Sequence, residues 1–281
     1  MHIFIMMVLL ACAANPAVMS RTLFSDSSID EIHHQWMIKY GRMYANTSEM
    51  EKRRAIFKEN LFIEERNTIN RAAGKNYTLG LNDFSDLTIK ELTSSCCGIM
   101  NIPSELASSK TAFFNMSVDD IPESVDWRNH GAVTSVKKQG TCGSKGCSYG
   151  YLNSAFKFAT TPSNGFDGYQ LITPGDEQQL LQVVAQQPVA VTIVVGPEFY
   201  AFMGDGIYSG PCGPTVNHAV TIVGYGTSVN GQKYWIIKNS WGVNWGDLGY
   251  MKLLRGTESP KGLCDITASY SYYSTLTNPS I

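Results

Sequence analysis

The chain has 281 residues, 43% of them hydrophobic and 16% charged, with a formal net charge of -2 at pH 7. This composition supplies apolar material for one or two globular cores and excludes a disordered chain. The small net charge gives no general attraction for nucleic acid or an anionic membrane, and neither is expected as a partner.

Residues 1–20, MHIFIMMVLLACAANPAVMS, carry an apolar run from Ile3 to Ala14 that ends in small residues. The run is too short to span a bilayer and has the size of a secretory h-region, so a signal peptide is expected over 1–20. The implied route is the secretory pathway, ending outside the cell or in a vacuole or lysosome. Acceptor triplets for N-glycosylation at Asn46, Asn76 and Asn115 agree with it. Removing Cys12 with the leader leaves Cys96, Cys97, Cys142, Cys147, Cys212 and Cys264. The last four form an even set, compatible with two disulfides in an oxidising compartment.

Residues 26–95 read as helical. Ser28, Ile29, Asp30 and Glu31 offer a capping box ahead of Ile32, Trp36 and Tyr40, which share a face. A second helix is expected from about Ser48 to Ala72, along which Glu49, Arg53, Phe57, Asn60, Ile63 and Asn67 form one stripe. A stripe mixing charge, amide and apolar groups is not a plain core face. Residues 96–120 are Ser-rich and without periodicity, which reads as an exposed linker of the kind processing proteases cut. Further on, Gly175–Gln187 has helical spacing and stops at Pro188. Strands are expected over Pro188–Val195, Ala219–Gly224, Tyr234–Lys238 and Gly249–Leu254. The expected fold class is α+β, with helices first and a β-rich part after them.

The stripe resembles the E-R-F-N-I-N pattern of papain-family inhibitory propeptides, with one residue fewer than usual between Asn60 and Ile63. Trp36-Met37 and Tyr40-Gly41-Arg42 resemble the preceding helix and turn. Gly80, Asn82, Phe84 and Asp86 fit the propeptide segment G-x-N-x-F-x-D, and Ile121 to Arg128 resembles a mature papain-family N-terminus. The chain is similar to plant enzymes of the bromelain and ananain kind. This resemblance implies an inhibitory propeptide over 26–95, a processing linker over 96–120 and a papain-like peptidase domain over 121–281. That domain would have a shortened left helical domain and a β-rich right domain. The propeptide would bind its own or a related peptidase domain and block the cleft. The substrate class would be polypeptide, with no cofactor and no metal.

Asn217-His218-Ala219-Val220 and Lys238-Asn239-Ser240-Trp241-Gly242 resemble the histidine and asparagine half of a papain-type site. By that resemblance His218 is the acid/base, Asn239 orients its imidazole and Trp241 shields the bond between them. Gln139 would supply a donor to the oxyanion hole. In such a site a thiolate beside an imidazolium attacks the peptide carbonyl, and the imidazolium then protonates the leaving amine.

The nucleophile motif C-G-S-C-W is broken, because the chain reads Cys142-Gly143-Ser144-Lys145. A protonated lysine is a poor nucleophile. Gly146-Cys147-Ser148-Tyr149-Gly150 resembles a segment that normally lies well beyond the nucleophile, so an internal deletion is expected here. Cys147 then has two readings: a disulfide with Cys142, or a displaced nucleophile at a helix N-terminus. Cys212 and Cys264 match a right-domain disulfide of the family. Three functions follow: a catalytically impaired cysteine-type peptidase precursor, a propeptide-type inhibitor of related proteases, or an active endopeptidase using Cys147.

Overall fold

The computed structural model describes residues 24–96, 117–138, 168–268 and 271–275. The expected leader, residues 97–116 of the linker with Asn115, and the segment holding Gln139, Cys142, Lys145 and Cys147 lie outside the described residues. The helical part comprises α1 (Asp26–Tyr40), α2 (Thr47–Asn60), α3 (Ile63–Ala72), the short strand β1 (Thr78–Leu79) and α4 (Ile89–Cys96). The remainder comprises β2 (Val125–Asp126), β3 (Gly168–Leu171), α5 (Glu177–Val184), β4 (Val189–Ile193), α6 (Pro197–Tyr200), β5 (Phe202–Met203) and β6 (Ile207–Tyr208). It continues with β7 (His218–Thr227), β8 (Lys233–Lys238), β9 (Tyr250–Leu254) and β10 (Ser271–Thr275). Among the described residues no helix is long and apolar enough to cross a membrane.

Two helical expectations are corrected. The cap of α1 is Ser25, whose side chain accepts from Ser28 N, three residues ahead of the expected box; Glu31 instead accepts from the Gln35 amide. The single helix expected over 48–72 is two, because Leu61 and Phe62 leave the regular ladder. The break turns Leu61 and Ile63 both inward, which an unbroken helix with the shortened Asn60–Ile63 spacing would not do.

After the break the stripe regains its register; Arg53, Asn60 and Asn67 grip the chain between Leu79 and Glu91, and Glu49 holds Arg53. Arg53 joins Glu49, Glu91 and the Asp86 carbonyl; Asn60 Nδ2 donates to the Ser85 and Leu87 carbonyls; Asn67 exchanges two bonds with the Leu79 backbone. Phe57 is fully buried against Trp36, Ile29 and Leu61. Asp86 accepts from the Tyr44 hydroxyl and pairs with Arg42. The mixed stripe is therefore a clamp on an irregular segment whose backbone groups helix and sheet leave unpaired.

The larger sheet runs β3-β10-β4-β7-β8-β9-β6, with β2 added to β7. Pairings are antiparallel except β6 with β9. β4 is buried at every position, which fits its unbroken run of Val, Ala, Thr and Ile. α5 covers the sheet with Leu180, Val183 and Val184. Cys212 and Cys264 are disulfide-bonded across a sequence separation of 52.

The helical part does not stand apart. β1 pairs antiparallel with β5, and Ile63, Tyr77, Leu79 and Leu92 belong to the same buried cluster as Phe199, Phe202, Trp241 and Trp245.

Candidate active site

His218 is the first residue of β7, and Asn239 follows the last residue of the neighbouring strand β8. Antiparallel pairing of these strands therefore brings the two side chains together from positions 21 apart. Both are buried, and His218 Nε2 lies 2.9 Å from Asn239 Oδ1. The same Oδ1 accepts from Ser240 N at 2.7 Å, which identifies it as the amide oxygen. An acceptor at that place requires Nε2 to carry the hydrogen, so Nδ1 is the basic nitrogen of the neutral ring.

Trp241 forms the wall. Its ring stacks on His218 at 4.6 Å between centroids and on Tyr200 at 4.8 Å. Trp245 meets it edge-on at 5.1 Å and donates to the Tyr200 carbonyl. The His218–Asn239 bond is thereby kept from water, which strengthens it over an exposed one.

The segment ending at Lys138 is fixed to the same wall. Lys138 pairs as a β-bridge with Trp241, and Gly242 N donates to the Lys137 carbonyl. Lys238, buried beside Asn239, donates through Nζ to Thr134 O at 2.7 Å and to Thr134 Oγ1 at 3.1 Å. Burial, with Lys137 nearby, lowers its ammonium pKa to about 8.

The helical part lies over this half-site. Phe84 meets Trp241 edge-on at 5.3 Å, and Asp83 pairs with Lys138 Nζ at 2.8 Å. Asn82, 1% exposed, donates to the Tyr200 carbonyl at 2.7 Å and accepts from Phe84 N at 2.9 Å. Sequence reading missed Asp83, Lys138, Tyr200 and Lys238 as neighbours of the site, and also Glu198. Glu198 alone left a signal, a lone carboxylate in the apolar stretch around Phe199.

The structure thus brings His218, Asn239 and Trp241 together, with Asn82, Phe84 and Asp83 on top. The expected residues Gln139, Cys142, Lys145 and Cys147 begin just past residue 138, outside the described residues. A helical cap lies over an oriented histidine and its tryptophan wall. The papain family cysteine protease profile matches residues 121–149 and 159–274, and the cathepsin propeptide inhibitor domain profile matches residues 33–92.

The senescence-specific cysteine protease SAG12 of Arabidopsis thaliana is 32% identical over 340 residues, covering 97% of this chain and 98% of the relative. Fruit bromelain of Ananas comosus is 32% identical over 327 residues, covering 94% and 91%. Among solved structures, recombinant stem bromelain precursor superposes with a TM-score of 0.74 at 31% identity, covering 89% of this chain and 99% of that one. Procathepsin L2 from Tenebrio molitor larval midgut superposes at 0.73 and 30% identity, covering 88% and 100%. The chain belongs to the papain family of cysteine proteases and is built as a precursor, with an α+β fold. Its propeptide fits an intramolecular inhibitory role.

Proposed function

We propose that this precursor keeps the acid/base half of the papain-type site and has lost the nucleophile, so that peptide hydrolysis is abolished or greatly reduced. The observation that carries this reading is the intact His218–Asn239–Trp241 arrangement beside a sequence with Lys145 in the cysteine's place. A basic Nδ1 has work to do only when a thiol supplies the proton and the attack. A lysine ammonium gives neither at physiological pH.

Chain length supports an internal deletion. The alignment with the Arabidopsis relative has 340 positions against 281 residues here, which leaves at least 59 of them unfilled by this chain. In our reading residues 1–20 are a cleaved leader, 26–95 the inhibitory propeptide, 96–120 the processing linker and 121–281 a shortened peptidase domain. The product enters the secretory pathway and is stored in a vacuole or lysosome or exported. The first cysteine reading, a Cys142–Cys147 disulfide, goes with the inactive enzyme, and a nucleophilic Cys147 with the active alternative.

A second reading has a specific observation behind it. Among the described residues, the contacts of the propeptide fall on Lys138 and on residues 198–246 of the β-rich part. A propeptide that docks on a surface of this kind can bind the same surface of a related protease and inhibit it. The test is hydrolysis of fluorogenic peptides by the chain after proteolytic opening of the linker. The first reading expects turnover at background level, unchanged by Cys147→Ser; turnover that Cys147→Ser abolishes contradicts it.

A further inference from the structure

Glu198, in α6, is 4% exposed, and two propeptide residues, one in α3 and one just ahead of β1, meet its carboxylate. Oε1 lies 2.9 Å from Arg66 Nε, and Oε2 accepts from the Tyr77 hydroxyl at 3.0 Å. The Tyr77 ring packs on Tyr208 at 4.9 Å between centroids. Two glycines make room for it. A β-carbon on Gly206 would overlap the Asn76 carbonyl oxygen, and one on Gly210 would overlap the Tyr77 hydroxyl. Burial, reinforced by the charge of Glu198, holds the Tyr77 phenol well above its ordinary pKa, so it remains a donor. The chain then runs from Tyr77 into β1, which pairs with β5, and Gly80 N donates to the Ala201 carbonyl at 2.7 Å.

The residues of the mixed stripe spend their polar groups inside the propeptide, on the 79–91 segment. Across the seam, β1 with β5, Gly80 with Ala201 and Asn82 with Tyr200 all engage backbone groups of the β-rich domain, which any side chain there would leave available. Asp83 meets the largely exposed Lys138, and the exposed Asn76 meets Gln232. Glu198 differs from both. It is a buried charge on the receiving side whose ion-pair and hydroxyl partners come from the propeptide, and neither Arg66 nor Tyr77 belongs to the stripe or to the Gly80–Asp86 motif.

We propose that Glu198 is the specificity-determining residue of the docking surface: it admits propeptides that bring a cation and a phenol to this socket and rejects those that do not. A propeptide lacking both leaves a desolvated carboxylate facing apolar surface, and losing one partner of such a buried charge weakens association by roughly 30-fold or more. Arg66 is itself 44% exposed, so solvent screens part of its share, and the Tyr77 hydroxyl carries the rest. The inference rests on the docked propeptide and is independent of the state of the nucleophile.

The test is amide hydrogen exchange of the full chain, read at Gly80, whose N–H crosses the seam, and in α2, which reports the propeptide's own fold. In Arg66→Glu, two carboxylates face each other, and exchange at Gly80 is expected to rise by about 10-fold or more while α2 stays protected. Adding Glu198→Arg to Arg66→Glu is expected to bring Gly80 back to within about threefold of the unsubstituted chain. Tyr77→Phe should raise Gly80 exchange without touching α2. An Arg66→Glu chain that exchanges like the original overturns the proposal, as does a charge-swapped chain as open as Arg66→Glu alone. Loss of α2 protection in Arg66→Glu also counts against it, because the residue would then be acting on the propeptide's fold. A Gly80 amide unprotected in the original chain would refute docking itself and the proposal with it, whereas a protected Gly80 indifferent to residue 66 refutes the proposal alone.

Discussion

Replacing Asn82 with alanine isolates the contact that fixes the propeptide motif to the wall of the site. The side chain makes one buried bond, Nδ2 to the Tyr200 carbonyl at 2.7 Å, and one part-buried bond, Oδ1 from Phe84 N at 2.9 Å. Their losses are unequal. The Tyr200 carbonyl also accepts from Trp245 Nε1 at 3.1 Å and so keeps a partner, whereas Phe84 N has no second acceptor among the described residues. One lost bond at about 1 kcal/mol and one orphaned, part-buried N–H at about 1–2 kcal/mol give an expected destabilisation of about 2–3 kcal/mol. Asn82→Asp keeps the acceptor for Phe84 N but turns a second oxygen toward the Tyr200 carbonyl, so it should lose at least as much as alanine. Urea unfolding of the full chain, followed by tryptophan fluorescence, measures both. If both variants stay within about 0.5 kcal/mol of the original, as an ordinary surface substitution does, then Asn82 does not hold the seam and the docking geometry is wrong.

His33 gives a pH prediction. It is 4% exposed among Trp36, Tyr44 and Phe57, and burial lowers its pKa against the attraction of Asp86 and Asp30, with Arg54 and His34 adding to the lowering. A group held neutral by the fold contributes its full stability above its ordinary pKa of about 6.5 and loses it as the pH falls, because the unfolded chain takes the proton first. His33→Leu should therefore shift the acid-unfolding midpoint of the propeptide helices downward, and circular dichroism across a pH series would detect an unmoved midpoint. Loss of the Cys212–Cys264 bond by Cys212→Ala with Cys264→Ala should cost about 4 kcal/mol, as expected for releasing a loop of 52 residues, measured by thermal unfolding. Gly206→Ala should cost about 1–3 kcal/mol and raise exchange at Gly80, since its β-carbon has to push the Asn76 carbonyl away; a neutral result would mean the seam yields there freely.

The β-rich half was legible because local pattern and burial agree. The apolar run at 188–195 became β4, and the segments around Ala219, Trp235 and Met251 became β7, β8 and β9, within a few residues. His218 and Asn239 were legible as a pair for a different reason, a motif resemblance that antiparallel pairing of β7 and β8 then realises as one hydrogen bond. What escaped the sequence depends on partners distant in the chain. The break at Leu61 and Phe62 serves contacts with a segment more than a dozen residues later, and helical spacing alone runs straight through it. β3 and β10, which close one edge of the sheet, are short and join residues about a hundred positions apart. Glu198 read as an isolated acid because its meaning comes from Arg66 and Tyr77 across the seam.

The central claim, a kept acid/base half-site without a working nucleophile, is tested most directly by titrating the chain with a thiol-directed epoxide after the linker is opened, and mapping any adduct by mass spectrometry. No modification is expected at Cys147, under conditions in which an active papain-type protease is labelled to completion. Stoichiometric alkylation of the Cys147 sulfur, lost when His218 is changed to alanine, would contradict it and place the chain among the working enzymes of its family.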